Sequence, residues 1–376
     1  MISLLIYLLI LGLLIVVHEF GHFIVAKRVG VRVEKFSLGF GPKLLSKKKG
    51  DTEYTINAIP WGGYVKLAGD NQGEYKNKSD EYLAKSPAQR AAILFFGPLL
   101  NYVLGFLFFW LIFFIGYPAF TTKVGNLIDG YGAKNAGIQI GDKIIAVDGQ
   151  RVDYWDELQK LIQAKKNSTA VKISLLRDDR ELNFDVRIKQ AKLEDIIGQK
   201  ENVGLIGIKP AEDIINIRHG FWKSAVLGMD KTWGLTVITY KAFWRIITGR
   251  LSFRESVSGP LGIFYVTSQA VRIGIIAVLH LVAILSISLA IFNLLPLPVL
   301  DGGHILLLVI EKIRKRTLSV KAEQIVTQIG LTLIISLALF ATYNDVAKLF
   351  GKRIVKFLNP ASVEKLGPAA VPPIPK

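Results

Sequence analysis

The sequence contains no cysteine, which excludes disulfide bonds and thiolate metal sites, so a bound metal must be held by His, Asp or Glu. Acidic residues are also scarce, because 30 Asp and Glu stand against 47 Lys and Arg, a formal net charge of +17. No recognised nucleic-acid-binding motif accompanies this charge, so we assign it to basic loops beside membrane spans and expect no nucleic-acid partner. Of the 376 residues 51% are hydrophobic, which is typical of a membrane protein.

Charge is nearly absent from four long segments, which predicts four transmembrane helices at residues 1–26, 91–118, 273–304 and 324–345. A signal peptide is the alternative for the first segment, but no basic residue precedes its apolar run and no small-residue cleavage site follows it. Thirteen Lys and Arg in residues 27–90 predict a cytoplasmic location for that loop, which places the amino terminus outside.

The loop at residues 27–90 contains two candidate strands, 31–36 and 54–59, with a turn at Lys49-Gly50-Asp51 between them. We therefore expect a small β-sheet lying against the membrane. Two glycine-containing segments, 39–42 and 61–64, are interpreted as turns. The functional alternative is an edge strand that pairs with an extended peptide substrate.

The composition becomes globular over residues 119–212, with glycine turns, a helical pattern at 156–165 and strand candidates at 170–176, 182–188 and 203–208. This order resembles a PDZ domain of the bacterial type, with the markers Ala136-Gly137-Ile138, Gly141-Asp142 and Val147-Asp148-Gly149. The resemblance implies that the domain binds an extended peptide or a newly exposed terminus by strand addition. An unrelated spacer domain is the alternative.

Residues 213–272 follow, and in them Trp222, Trp233 and Trp244 recur at intervals of eleven, which places them on nearly one helical face. The pattern predicts an amphipathic helix at the outer surface of the bilayer, in contact with lipid. Packing against the PDZ domain is the alternative.

Two prolines, Pro296 and Pro298, must break the helix of the third span, and broken backbone at membrane depth requires protein or a polar cavity around it. Basic residues then predict a cytoplasmic loop at 305–323. The Pro-rich end of the chain predicts an extended extracytoplasmic tail over 346–376.

The strongest chemical motif is His18-Glu19-Phe20-Gly21-His22 in the first span. On a helix the two histidines share one face and can bind one zinc ion, while Glu19 beside them can transfer protons. Ionisable groups in a lipid-spanning segment are costly unless they serve a function.

A catalytic zinc site needs a third protein ligand, for which Asp301 is the best candidate. His18 precedes the basic boundary at Lys27 by nine residues and Asp301 precedes Glu311 by ten, so both lie about 14 Å inside the cytoplasmic edge. His304, one helical turn after Asp301, is a rival. In the second span, Asn101 either contributes to the active site or bonds a neighbouring helix.

These motifs together resemble the site-2 protease family of intramembrane zinc metalloproteases, and its bacterial RseP-type branch in particular. The likeness rests on H-E-F-G-H in the first span, N-x-x-P-x-P-x-x-D-G-G around Asp301 in the third, and the PDZ insert between them; it extends to Ser258-Gly259-Pro260 and Gly97-Pro98-Leu99. It implies that His18, His22 and Asp301 bind one zinc ion per chain, that Glu19 is the catalytic base, and that Asn293 holds the substrate or the transition state. The chain departs from some relatives in having one evident PDZ domain and Ser288 at a position where an amide can occur.

We therefore expect an α-helical polytopic membrane protein of about four transmembrane helices, with a membrane-associated β-hairpin or sheet and an inserted α+β PDZ domain. The resemblance implies a bacterial inner-membrane protease whose substrates are single-pass transmembrane proteins, such as pre-trimmed anti-sigma factors or leftover signal peptides. Its active site faces the cytoplasmic side and its PDZ domain is extracytoplasmic. A catalytically inactive zinc-binding scaffold and a metal transporter are the alternatives, but the intact Glu19 disfavours the first and the few polar residues in the spans disfavour the second.

Overall fold

The computed structural model describes residues 2–165, 167–194, 198–315 and 320–358. Its helices, in chain order, are α1 (Ile2–Arg28), α2 (Pro87–Ile115), α3 (Gly132–Asn135), α4 (Trp155–Ala164), α5 (Phe221–Ile247), α6 (Phe253–Ser256), α7 (Pro260–Ile273), α8 (Ile275–Asn293), α9 (Asp301–Arg314) and α10 (Val320–Leu358). The strands are β1 (Val33–Lys49), β2 (Thr52–Leu67), β3 (Tyr117–Phe120), β4 (Val124–Leu127), β5 (Lys143–Val147), β6 (Gln150–Arg151), β7 (Ala170–Arg177), β8 (Arg180–Arg187), β9 (Lys189–Glu194), β10 (Lys200–Leu205), β11 (Ile208–Pro210) and β12 (Ile214–Ile217).

Four helices in the described part of the chain are long and apolar enough to cross a membrane. They are α1, α2, α8 and residues 324–348 of α10. This confirms the predicted class of polytopic helical membrane protein. The chain divides into one unit formed by Met1–Phe106 and the residues from Ser252 onward, and a second unit formed by Leu107–Leu251.

In the first unit, β1 and β2 form the predicted antiparallel hairpin, which turns at Gly50. Both strands are much longer than expected, because segments 39–42 and 61–64 lie within them and the interpretation of these segments as turns was wrong. The glycines instead create irregularities in strand register, with positive φ angles of 84° at Gly39 and 130° at Gly62.

The hairpin folds back on itself, so that the first half of β1 pairs on both sides. Ser37, for example, pairs with Thr55 on one side and with Tyr64 on the other. Four strand segments therefore lie side by side in the sheet. Their order across it is the second half of β1, the first half of β2, the first half of β1 and the second half of β2. Residues 63–67 of β2 therefore form an edge strand. This edge strand contacts α1.

The third predicted span is not one helix in the structure. It consists of α8, a non-helical segment at 294–300 and the new helix α9, as expected from the two prolines. The predicted loop at 305–323 was wrong over its first ten residues, because Asp301 begins a helix that continues to Arg314. Residues 305–310 are apolar. Lys312 and Arg314 in the last turn stabilise the helix, because their positive charges interact favourably with the negative end of the helix dipole.

The end of the chain also differs from expectation, since α10 continues through Leu358 where an extended tail was expected from residue 346. Residues 359–376, the rest of that predicted tail, lie outside the described residues. Asp345 on α10 is 2% exposed and accepts hydrogen bonds from the backbone N–H groups of Gly259 and Gly262. It thereby satisfies two otherwise unpaired donors at the start of α7.

The second unit contains an α+β domain where the PDZ domain was predicted, built on a four-stranded antiparallel sheet with the order β6-β5-β7-β8. Its apolar core includes Ile144 and Ile173 from the sheet and Leu158 from α4. The helix and the strands at 170 and 182 agree with the predicted positions. The expected closing strand at 203–208 was wrong in detail, because Gly207 has a φ of 84° and divides it into β10, which pairs with β9, and β11, which pairs with β4.

Helix α5 carries the three predicted tryptophans, and all of them are exposed. Its buried face consists of small residues four positions apart: Ser224, Gly228, Thr232 and Thr236. A helix that buries small residues and exposes large apolar side chains has the kind of surface expected to contact lipid.

Candidate metal centre and active site

Three potential metal ligands from two helices converge in the first unit. His18 and His22 lie one turn apart on α1, and Asp301 is the first residue of α9. The Nε2 atom of His18 is 3.1 Å from Nε2 of His22 and 3.2 Å from Oδ2 of Asp301, and Nε2 of His22 is 3.6 Å from Oδ1 of Asp301. Atoms that bind a tetrahedral zinc ion at about 2.0–2.2 Å lie about 3.4 Å apart, so this donor set fits zinc.

The orientation of His22 is fixed by α2. Its Nδ1 atom lies 2.8 Å from the backbone carbonyl oxygen of Ile93, which can only accept a proton, so Nδ1 carries the hydrogen and donates it. The lone pair of Nε2 therefore faces Asp301 and His18. Such a hydrogen bond behind a histidine is typical of metal sites, because it sets both the tautomer and the direction of the ring.

Two glycines allow α1 and α2 to approach closely at this point. A Cβ on Gly21 would lie 2.2 Å from the carbonyl oxygen of Phe96, and a Cβ on Gly97 would lie 2.4 Å from Nε2 of His22. No side chain fits either position without moving a helix or the imidazole ring. The close contact therefore depends on both residues being glycine.

Glu19 lies beside the three donors and is held by the sheet. Its Oε2 atom accepts a hydrogen bond of 3.0 Å from the backbone N–H of Val65 on the edge strand of the hairpin. Gly63, two residues earlier on the same edge, approaches the Glu19 side chain, because a Cβ there would lie 3.7 Å from its Cγ. One carboxylate oxygen is thus anchored to the sheet.

Asp301 reaches the histidines because the chain is bent sharply before it. Val299 has a positive φ of 77°, a costly conformation for a β-branched residue. Gly302 and Gly303 then pack against the backbone of the preceding segment, where added Cβ atoms would lie 2.3 Å from the Leu294 carbonyl oxygen and 2.0 Å from that of Leu297. The D-G-G sequence is therefore a structural requirement of the bend as well as the source of one donor.

A cavity of about 730 Å³ extends from Glu19 and His22. Besides His304, the rival ligand, its polar lining includes side chains to which the sequence motifs assigned no role in the site: Asp70, Gln72, Tyr75, Tyr82, Lys85, Arg90 and Glu311. Burial raises the pKa of Tyr82, so its hydroxyl stays protonated near neutral pH. Water can occupy a polar cavity of this size. The cavity can therefore supply the water that peptide hydrolysis requires.

The other predicted site residues have different surroundings. His304 lines the cavity but is not one of the converging donors among the described residues. Asn101 is fully buried on α2, and neither its amide oxygen nor its amide nitrogen has a partner in the described chain. Asn293 is the half-buried last residue of α8 and is not among the described residues that line the cavity.

Sequence reasoning missed the residues that support the donors. Val65 and Ile93 act through backbone atoms, so their side-chain chemistry gave no signal. Gly97 was named only as part of the family resemblance, and its role in making room for His22 was not predicted. Arg90 was counted only among the basic residues of 27–90, and Glu311 served only as a marker of depth in the membrane. Their pairing across the fold could not be read from either segment alone.

A family model described as peptidase family M50 matches residues 6–337. The chain belongs to this family. The match confirms the predicted resemblance to the site-2 proteases, and the protein is a membrane-embedded metalloprotease of that family.

Named relatives agree with this assignment. A protein of Agrobacterium fabrum, named as a candidate zinc metalloprotease, is 32% identical over 92% of this chain and 96% of its own length. The regulator of sigma E protease of Haemophilus influenzae is 27% identical over 91% of this chain and 98% of its own. Among solved structures, the PDZ domain of an SdrC-like protein from Listeria monocytogenes is 23% identical, covers 25% of this chain and 87% of its own, and has a TM-score of 0.19.

Proposed function

We propose that the protein is an intramembrane zinc metalloendopeptidase that cleaves transmembrane segments of membrane proteins. The observation that carries this proposal is the convergence of His18, His22 and Asp301 within a group of apolar helices, with the free carboxylate oxygen of Glu19 beside them. Soluble metalloproteases need no such helices around their metal site. The apolar surroundings therefore indicate that the peptide bond to be cut lies within the membrane.

In this proposal His18, His22 and Asp301 hold the zinc ion. When bound, zinc supplies a Lewis acid that polarises the scissile carbonyl and makes water more acidic. Glu19 removes a proton from the attacking water and then delivers it to the nitrogen of the leaving amine. The hydrogen bond from Val65 fixes one oxygen of Glu19, so the other is free for this transfer.

The edge strand at residues 63–67 of β2 offers a way to hold the substrate. A helical substrate must unwind before cleavage, because its carbonyls are otherwise hydrogen-bonded within the helix. The N–H of Val65 points outward from the sheet toward Glu19, so an extended peptide paired along this edge would pass directly beside the catalytic carboxylate. Asn101 and Asn293 are proposed to bind the substrate or the transition state, and the unpaired amide of Asn101 supports a polar role for that residue.

The basic residues at 27–90 support an inner-membrane orientation in which the active site faces the cytoplasmic side and the PDZ domain is extracytoplasmic. The substrates proposed from this arrangement are single-pass proteins already trimmed outside, such as anti-sigma factors, or leftover signal peptides. The name of the Haemophilus relative, a regulator of sigma E protease, supports the first class. The PDZ domain would then select substrates by size or by a new terminus.

Metal analysis of the purified full-length protein tests this function. We expect about one zinc per chain, strongly reduced occupancy in His22→Ala and Asp301→Ala, and full occupancy in the matched variant His304→Ala. Cleavage of a labelled transmembrane peptide should stop when a chelator removes the metal and resume when zinc is restored. Full zinc content in Asp301→Ala combined with loss in His304→Ala would contradict the ligand set.

A further inference from the structure

An ion pair joins two helices at the wall of the active-site cavity. The Nη2 atom of Arg90, in the first turn of α2, lies 2.6 Å from Oε1 of Glu311, near the end of α9. The two side chains are only 9% and 17% exposed, and both line the cavity that contains Glu19 and His22. Five other ion pairs of the described chain are more exposed and involve no residue that lines this cavity.

Each partner lies on a helix that supplies part of the candidate metal site. Ile93, one turn after Arg90 on α2, provides the carbonyl that orients His22. Asp301, ten residues before Glu311, is the first residue of α9. The ion pair thus directly joins the helix that sets the direction of one ligand to the helix that carries another.

Helix α9 needs such an anchor because it is entered through irregular backbone. The segment at 294–300 is non-helical and includes Val299 at a positive φ. It contacts α9 through Gly302 and Gly303 in the first turn, about ten residues from Glu311. The Arg90–Glu311 contact adds a second point of attachment near the other end of α9. The rigidity of the helix then transmits this constraint to Asp301.

We propose that Arg90 and Glu311 are positioning residues, whose ion pair holds α9 at the place where the Asp301 carboxylate meets His18 and His22. This inference rests on the proposed metal site. It assigns to both residues a role in metal affinity although neither touches the metal ligands. It also predicts how substitutions should behave, because the observed contact uses one guanidinium nitrogen and the Nε atom of Arg90 has no partner in the described chain. A lysine can reproduce a contact through one nitrogen, whereas an uncharged side chain cannot.

The test is a double-mutant cycle on the full-length protein, with Arg90→Met, Glu311→Gln and both together. Zinc affinity is measured by competition with a chelator, and thermal unfolding is measured with and without zinc. We expect each single variant to weaken zinc binding about tenfold or more, as for other residues that support metal ligands. The double variant should bind zinc no more weakly than the singles, and Arg90→Lys should restore affinity to within about threefold of wild type, because it keeps the charge.

Asp345→Asn is the matched control, because Asp345 is also a buried carboxylate of this unit but bonds α7 instead of α9. It should lower the thermal stability of the zinc-free and zinc-loaded forms alike and leave zinc affinity unchanged. The inference is overturned if Arg90→Met and Glu311→Gln behave like this control, with lower stability and wild-type zinc affinity. If His22→Ala and Asp301→Ala also keep wild-type affinity, the proposed metal site itself fails, and the inference fails with it.

Discussion

The imidazole ring of His22 lies directly against Gly97, with no room for a Cβ between the ring and α2. We therefore expect Gly97→Ala to displace His22 and to reduce zinc affinity about 10- to 100-fold, with a matching loss of cleavage. Gly12→Ala on α1 is the control, since an added Cβ there meets nothing within 4 Å in the described chain. Zinc retention after dialysis against a weak chelator measures the effect. Wild-type retention by the Gly97→Ala protein would show that His22 is not held as described.

The buried amide of Asn101 provides a second prediction. An unpaired buried amide is destabilising, so Asn101→Leu should leave zinc binding intact and keep or raise thermal stability. If Asn101 donates to the substrate or the transition state, cleavage should nevertheless fall at least about tenfold.

Ser286→Ala separates these effects, because the Ser286 hydroxyl donates a 2.7 Å hydrogen bond to the backbone carbonyl of Asn101. This variant should lose about 1 kcal/mol of stability and little activity. A wild-type cleavage rate for Asn101→Leu, measured with a reconstituted peptide substrate, would assign Asn101 to structure alone.

The predicted PDZ domain can be replaced by a short turn because the strands that flank it, β3 and β12, are paired. Phe120 at the end of β3 lies opposite Ile214 at the start of β12, so residues 121–213 can be replaced by a two-residue Asn-Gly turn. The shortened protein should cleave a pre-trimmed substrate as well as wild type and should also cleave an untrimmed one, if the domain restricts access. Loss of cleavage of the trimmed substrate by folded, zinc-loaded protein would rule out this role.

The stability of the predicted PDZ domain should depend on pH through Asp142. Burial by itself raises the pKa of Asp142, but hydrogen bonds from Arg177 and from the Gln139 N–H outweigh it and hold the pKa below its usual value. Because the folded-state pKa is depressed, this stabilisation is present above about pH 4, the unfolded-state pKa, and is lost as the pH falls through the folded-state value.

Asp142→Asn should therefore destabilise the domain by about 2–3 kcal/mol at pH 7 and by progressively less in acid. Hydrogen exchange of β5, compared with wild type at each pH, measures this difference, with the exposed substitution Asp185→Asn as the control. A difference that stays constant from pH 7 to pH 3 would contradict the assignment to this carboxylate.

Local patterns were sufficient to predict much of the fold and the chemistry of the candidate site. The apolar runs gave the spanning helices, and the H-E-x-x-H spacing placed His18 and His22 on one face of α1. Asp301 was found by comparing depths in the membrane, which depend only on helical rise and on the charged residues Lys27 and Glu311 that end the apolar runs. These signals are contained within short segments, so sequence reasoning could use them.

What could not be predicted depends on contacts between distant segments. The glycines near residues 40 and 62 resemble turns locally, and only their pairing across the hairpin makes them part of long strands. In the same way, the D-G-G sequence after two prolines locally resembles the end of a helix. In the structure it begins α9, because Gly302 and Gly303 can pack against the preceding backbone. The ion pair between Arg90 and Glu311 joins residues 221 positions apart.

Whether Glu19 is the base of a zinc-dependent intramembrane protease is tested directly by cleavage of a labelled transmembrane peptide. The assay compares the reconstituted wild-type and Glu19→Gln proteins, with zinc content measured in both. Glutamine preserves the size of the side chain and can still accept the hydrogen bond from Val65, but it cannot take up and return a proton. We expect equal zinc content and substrate binding in the two proteins, with cleavage reduced by a factor of about 10²–10⁴ or more in Glu19→Gln. A Glu19→Gln protein that cuts as fast as wild type, or wild-type cleavage that persists after zinc is removed, would contradict it.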